Sequence, residues 1–142
     1  DKNNKQLSPP YKKLAKNATS DKDIAEIKRI SLGYLLALQQ RKPELMTEVL
    51  SNKLSKHTVG TYAEGGQYLR ETTYDNLLKF AKSWNGDGTR FPPIPNNQVT
   101  ILDSHKNMAS VKLVSDNWYE FLHLVKISGK WKIKNLVWAR NS

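Results

Sequence analysis

Glu120 and Asn135 are the polar side chains of this sequence whose setting among apolar residues best suits them to chemistry. Glu120 lies in the run Trp118-Tyr119-Glu120-Phe121-Leu122-His123-Leu124-Val125-Lys126-Ile127. Asn135 lies in Lys130-Trp131-Lys132-Ile133-Lys134-Asn135-Leu136-Val137-Trp138. Ser128-Gly129 between the runs is a two-residue turn of the kind that joins twisted antiparallel strands. Such a turn sets Ile127 opposite Lys130 and Lys126 opposite Trp131. Faces alternate along a strand, so one face carries Trp118, Glu120, Leu122 and Leu124 with Trp131, Ile133, Asn135 and Val137. The other carries Tyr119, Phe121, His123 and Val125 with Lys132, Lys134, Leu136 and Trp138. The first face is the more apolar and is assigned to the interior.

A buried carboxylate and carboxamide need partners. Either they bond to each other or to the helices, or they line a wet pocket. In a pocket, an aromatic ligand stacks on Trp118 or Trp131 while Glu120 and Asn135 bond its edge, and Tyr34 and Trp84 complete the predicted ligand-binding set. Glu120 is also the candidate general base of an isomerase or dehydratase, with burial raising its pKa toward neutrality. Asn135 or Tyr34 then stabilises the developing oxyanion. This chemistry needs no nucleophile, metal or cofactor, and none is predicted. The opposite face is half aromatic. Tyr119, Phe121, Leu136 and Trp138 predict a dimer interface or an exposed binding patch.

Other chemistries find no support. There is no glycine-rich phosphate loop, zinc-helix signature or nucleophile elbow. His57, His105 and His123 lack metal-ligand spacing. Asn85-Gly86-Asp87-Gly88 resembles part of a calcium loop, but Ser83 and Ile94 occupy the positions that require Asp and Glu, so it predicts a turn. Asn17-Ala18-Thr19 is a formal glycosylation sequon. Cysteine is absent, which excludes disulfides and thiolate chemistry. The net charge is +10. Lys126, Lys130, Lys132, Lys134 and Arg140 lie in the last two strands, where no acid follows Glu120. They read either as solvated lysines or, with Trp138, as a surface for an anionic polymer. No nucleic-acid motif accompanies them, and nucleic acid is not an expected partner.

The elements that must position these residues follow from periodicity. Residues 1–18, rich in Lys and Asn, predict a flexible basic tail, and residues 19–142 a single domain. Ser20 caps a helix predicted over 21–41, with Ile24, Ile27, Ser31, Tyr34, Leu35 and Leu38 at helical spacing. Pro43 opens a short second helix. Residues 57–62 and 67–71 flank Gly65-Gly66 as a hairpin. Thr72 and Asp75 predict a capping box before a third helix, which carries Leu77, Leu78, Phe80, Ala81 and Trp84. Strands at 98–103, 108–115, 118–127 and 130–139 form a meander. Helices first and a sheet last make an α+β fold. No apolar run approaches the roughly 20 residues that span a bilayer, and no membrane partner is expected. The chain opens on Asp1 rather than Met, so the expectation is a periplasmic or secreted location with a signal peptide absent from this chain, and otherwise a cytoplasmic one.

Three segments together carry a resemblance. They are Ala109-Ser110-Val111-Lys112, Trp118 to Lys126, and Gly129 to Trp138, with Leu54-Ser55-Lys56-His57-Thr58-Val59 and Tyr68-Leu69-Arg70 upstream. Over about residues 24–139 the sequence resembles the putative lumazine-binding family of the nuclear-transport-factor-2-like superfamily. It departs from that pattern at Glu120-Phe121, where relatives often carry Asp-Tyr, and at Ser51-Asn52, where they often carry His-Pro. The resemblance implies a cone, with N-terminal helices packed in the concave face of a curved antiparallel sheet. It implies a small molecule in the cone and a homodimer through the sheet. The superfamily includes isomerases, dehydratases, cyclases and binding modules, so fold alone does not choose among functions. The expected function is a non-enzymatic pocket protein. The alternatives are the Glu120 enzyme and the anionic-polymer module.

Overall fold

The computed structural model describes residues 19–141. The predicted tail over residues 1–18 and the first two residues of the sequon lie outside this range. Helix α1 spans Asp21–Gln39. The Ser20 hydroxyl accepts from the Asp23 amide at 3.1 Å, and two aspartates in the first turn favour its positive end. Helix α2, Pro43–Val49, packs closely on α1: a Cβ added at Gly33 would lie 2.8 Å from a Val49 methyl group. Strand β1, Leu50–Thr61, starts directly from α2, seven residues earlier than predicted (50 against 57). Strand β2 is Gln67–Glu71 and helix α3 is Tyr74–Ser83. The α3 cap is Thr73, which accepts from the Asn76 amide, and not Thr72. Thr72 directly follows β2, its amide donating to the Lys56 carbonyl at 3.0 Å.

Strands β3 (Asn97–His105), β4 (Met108–Ser115), β5 (Trp118–Ile127) and β6 (Lys130–Arg140) form the predicted meander. Ser128 and Gly129 both have positive φ, at 51° and 78°, and Ile127 faces Lys130 as expected. The six strands run in the order β2-β1-β6-β5-β4-β3. The sheet is mixed rather than wholly antiparallel, because β1 lies parallel to β6. The helices fill its concave face. Ile27, Tyr34 and Leu35 of α1 and Leu77 of α3 are buried with Leu113, Leu122, Leu124 and Ile133 of the sheet. Among the described residues no helix is long and apolar enough to cross a membrane.

One local feature overturns part of the predicted face assignment. Leu124 pairs with Ile133, but His123 pairs with Asn135, so Lys134 is an extra residue in β6. A bulge of one residue exchanges the two faces for everything beyond it. Asn135 therefore leaves the interior and lies beside His123 on the convex side, while Val137 becomes 53 % exposed. Leu136 and Trp138, predicted at a dimer interface, turn inward instead: Leu136 is buried, and Trp138 packs against the core. Trp131 precedes the bulge and stays inside. Its indole N–H donates to Asp23 at 2.9 Å, tying β6 to the start of α1. That bond and the Lys126 ammonium hold the Asp23 carboxyl below the usual range.

Candidate functional site

The wide end of the sheet does not close on the helices, and a cavity of about 780 Å³ remains between them. Residues of α1, α3, β1, β2, β5, β6 and the loop after α3 line it. Its size is that of a site for a small organic molecule. One wall is aromatic. Phe91, Trp84, Trp118 and Trp138 form a chain of edge-on contacts with ring centroids 5.6–5.7 Å apart. Trp118 and Trp138 share this wall because Trp118 pairs with Arg140 and Glu120 with Trp138 after the bulge.

Three ionisable side chains meet at the inner end. Tyr34 from α1, Lys56 from β1 and Glu120 from β5 are all buried and all line the cavity. The Lys56 ammonium donates to the Tyr34 hydroxyl oxygen at 2.5 Å. The phenol hydrogen then remains for Glu120. Burial pushes the Glu120 carboxyl up to about 7, against the attraction of Lys56 and the hydrogen bond from Tyr34, both of which favour its charged form. Burial also raises the Tyr34 hydroxyl well above its ordinary value, with the Glu120 charge acting the same way, so it stays protonated. The Lys56 ammonium is lowered, first by burial, with Glu120 opposing and Arg70 reinforcing the change. The result is a relay from amine to phenol to carboxyl, in which a carboxyl near neutrality can accept or donate a proton.

Of the six predicted ligand-binding residues, Glu120, Trp118, Tyr34 and Trp84 line this cavity. Trp131 is occupied by Asp23 near the start of α1. Asn135 lines a smaller hollow of about 390 Å³ on the convex side with His105, His123 and Lys134. There its amide lies 3.3 Å from His123 Nδ1 and accepts from Lys134 at 3.2 Å. The predicted basic surface is also divided. Lys126 bonds Asp23, Lys132 donates to the Glu48 carbonyl, and Arg140 stacks over Trp118 at the cavity. Among the described residues no cluster of three or more His, Asp or Glu side chains could hold a metal.

Lys56, Arg70 and Arg90 belong to the cavity and were not predicted. On β1, Lys56 and Thr58 face in, while Val59 is 60 % exposed. A signal was available: Lys56 and Thr58 alternate with His57 and Val59, so one of the two faces of β1 had to be polar inside.

Similar structures bear out the architecture. A nuclear-transport-factor-2-like protein of unknown function from Silicibacter pomeroyi superposes with a TM-score of 0.69 at 16 % identity, covering 87 % of this chain and 99 % of that one. One from Methylobacillus flagellatus, also of unknown function, gives 0.69 at 18 % identity, over 89 % and 98 %. A protein described as a putative scytalone dehydratase, from Novosphingobium aromaticivorans, gives 0.55 at 20 % identity, over 84 % and 85 %. At these identities the likeness is one of fold. No curated protein matches the sequence. The sequence pattern of one family, described as putative lumazine-binding, matches residues 22–139. With that match across nearly the whole helix-and-sheet cone, the chain belongs to the putative lumazine-binding family.

Proposed function

We propose that this protein binds a small organic molecule in the concave cavity. The ligand's flat apolar body lies against Trp118 and Trp138, and a carbonyl or hydroxyl group reaches Glu120, Tyr34 and Lys56. The observation that carries this is the buried set of three ionisable groups at the inner end of an aromatic cavity of about 780 Å³. Perturbed ionisable groups gather at functional sites because a charged or polar ligand group can use what the fold alone leaves costly. A homodimer through the convex face belongs to the same proposal. Phe121 and Val137 pair across β5 and β6 and are each about half exposed, with Tyr119 edge-on to Phe121. Native mass spectrometry of protein purified without refolding tests both parts. The expected spectrum shows a dimer carrying a small-molecule adduct that mild denaturation removes. A bare monomer that also fails to take up an aromatic ketone such as 2-tetralone would count against both.

A second reading is favoured by the Glu120 carboxyl, which burial pushes up to about 7. A carboxylate there can take a proton from the carbon beside a ligand carbonyl. The C–H electron pair passes to the carbonyl oxygen, where Tyr34 or Lys56 stabilises the enolate, and the proton returns to carbon. Return to a different carbon is isomerisation, and loss of a β-hydroxyl as water is dehydration. The test is deuterium exchange at the α-carbon of 2-tetralone, followed by NMR. Wild type is expected to exceed Glu120→Gln by roughly 10²–10⁴-fold, the usual worth of a positioned base. Equal rates would leave Glu120 as a binding group only.

A further inference from the structure

The mouth of the cavity carries charge that the fold does not use. Arg70 of β2, Arg90 of the loop after α3 and Arg140 of β6 come from three separate parts of the chain, and all three line the cavity. Each guanidinium lies over an indole of the cavity wall. Arg70 is 5.5 Å from the Trp138 ring, Arg90 5.1 Å from Trp84 and Arg140 5.0 Å from Trp118. Among the described residues none of the three has a carboxylate within ion-pairing distance. The pairs present are Arg29 with Glu26 and Glu48, His57 with Glu71, and Lys126 with Asp23. Four cations line the cavity, Lys56, Arg70, Arg90 and Arg140, against two acids. One of these, Glu71, faces His57 at 3.8 Å. The other, Glu120, is shifted by burial toward its neutral form.

We infer that the natural ligand is an amphipathic anion, an aromatic or otherwise flat apolar molecule bearing a carboxylate, sulfonate or phosphate group. This rests on the cavity being a ligand site and specifies which chemical class it selects. Arg90 Nε also donates to the Trp84 carbonyl at 3.3 Å, and a guanidinium held over an indole keeps its remaining N–H groups for a planar or tetrahedral anion. Three such groups around one mouth focus positive potential over an apolar interior. An anion is drawn to the opening and its apolar body is then buried behind it. Charge at the rim and aromatic surface within therefore impose one orientation, with the anionic group outward and the uncharged end toward Glu120, Tyr34 and Lys56. A neutral ligand of the same shape gains the apolar burial alone.

The test uses two fluorescent probes that differ by one sulfonate, 8-anilinonaphthalene-1-sulfonate and N-phenyl-1-naphthylamine. Both are titrated against wild type while quenching of the indole emission is followed. The sulfonate is expected to bind at least tenfold more tightly at low salt, with the advantage shrinking as salt screens the rim. An Arg70→Gln, Arg90→Gln, Arg140→Gln variant is expected to bring the two probes to within roughly twofold. A control with Lys28, Lys106 and Lys130 changed to Gln removes the same charge from exposed positions outside the cavity and is expected to keep the preference. If the triple arginine variant does not fold, Arg90→Gln alone is expected to lose part of the preference. Equal binding of the two probes to wild type overturns the anion inference and leaves the cavity reading standing. A preference that survives in the arginine variant also overturns it. Binding of neither probe sinks the cavity reading and the inference together.

Discussion

Stability of the protein is expected to fall as pH rises from about 4.5 to about 7, and a Glu120→Gln variant is expected to lack that fall. Glu120 is protonated in the folded protein up to about pH 7, whereas in the unfolded chain it gives up its proton near 4.5. Between those values the folded state holds the extra proton, so raising pH drains stability. The contribution is fully present below 4.5 and lost as pH passes 7. At 1.36 kcal/mol per pKa unit, the difference in pH dependence between the two proteins is about 3 kcal/mol. Asp23 and Glu26 have the opposite sign, because both are held below their ordinary values. Their stabilisation is lost only as pH falls through those lowered values, so it does not mask the Glu120 window. Gln keeps the shape and can still accept from Tyr34, so comparing the two proteins isolates the ionisation. Urea melts at pH 4.5, 6 and 8 measure it. Parallel curves for the two proteins would mean that Glu120 titrates as an exposed carboxylate, and the proposed acid–base role would go with it.

Deleting Val137 is expected to damage the protein far more than deleting Lys134. Lys134 is the extra residue of the bulge, so without it Asn135 follows Ile133 directly and still pairs with His123, and Leu136 and Trp138 keep their inward faces. Deleting Val137 has no extra residue to absorb it: either Trp138 turns outward, or the bulge is lost and Leu136 turns outward in its place. Burying a large apolar side chain is worth about 1.5–3 kcal/mol, so the Val137 deletion is expected to cost at least about that much more than the Lys134 deletion. Urea midpoints for the two variants give the comparison. A Lys134 deletion as damaging as the Val137 deletion would show that the bulge does not set the faces.

The bulge also marks where reasoning from sequence stops. Local chemistry was legible wherever a few adjacent residues decide the conformation. Ser20 caps α1, Ser128-Gly129 takes the two positive φ values of a tight hairpin turn, and the prolines at 92, 93 and 95 keep their segment out of helix and strand. From such signals follow the helices-then-sheet order and the inward placement of Glu120, Trp118, Tyr34 and Trp84 around one space. The family resemblance added the cone.

The sequence alone left two things open, and both depend on residues distant in the chain. The bulge at Lys134 arises where β6 must pair with β5 on one side and β1 on the other, and both pairings shift register between Ile133 and Asn135. No residue near Lys134 announces it, because the advantage lies in burying Leu136 and Trp138 across the sheet. The polar partners of Glu120 are also set by tertiary structure. Lys56 reaches Tyr34 only because β1 lies parallel to β6 and brings its inward face over α1, 22 positions away in sequence. The sequence by itself therefore determined the elements, their order and one carboxylate turned inward, since turns, caps and periodicity are local. Tertiary structure decided which side chains meet that carboxylate and which aromatics wall the cavity, because strand pairing and the bulge are chosen by the free energy of the whole sheet.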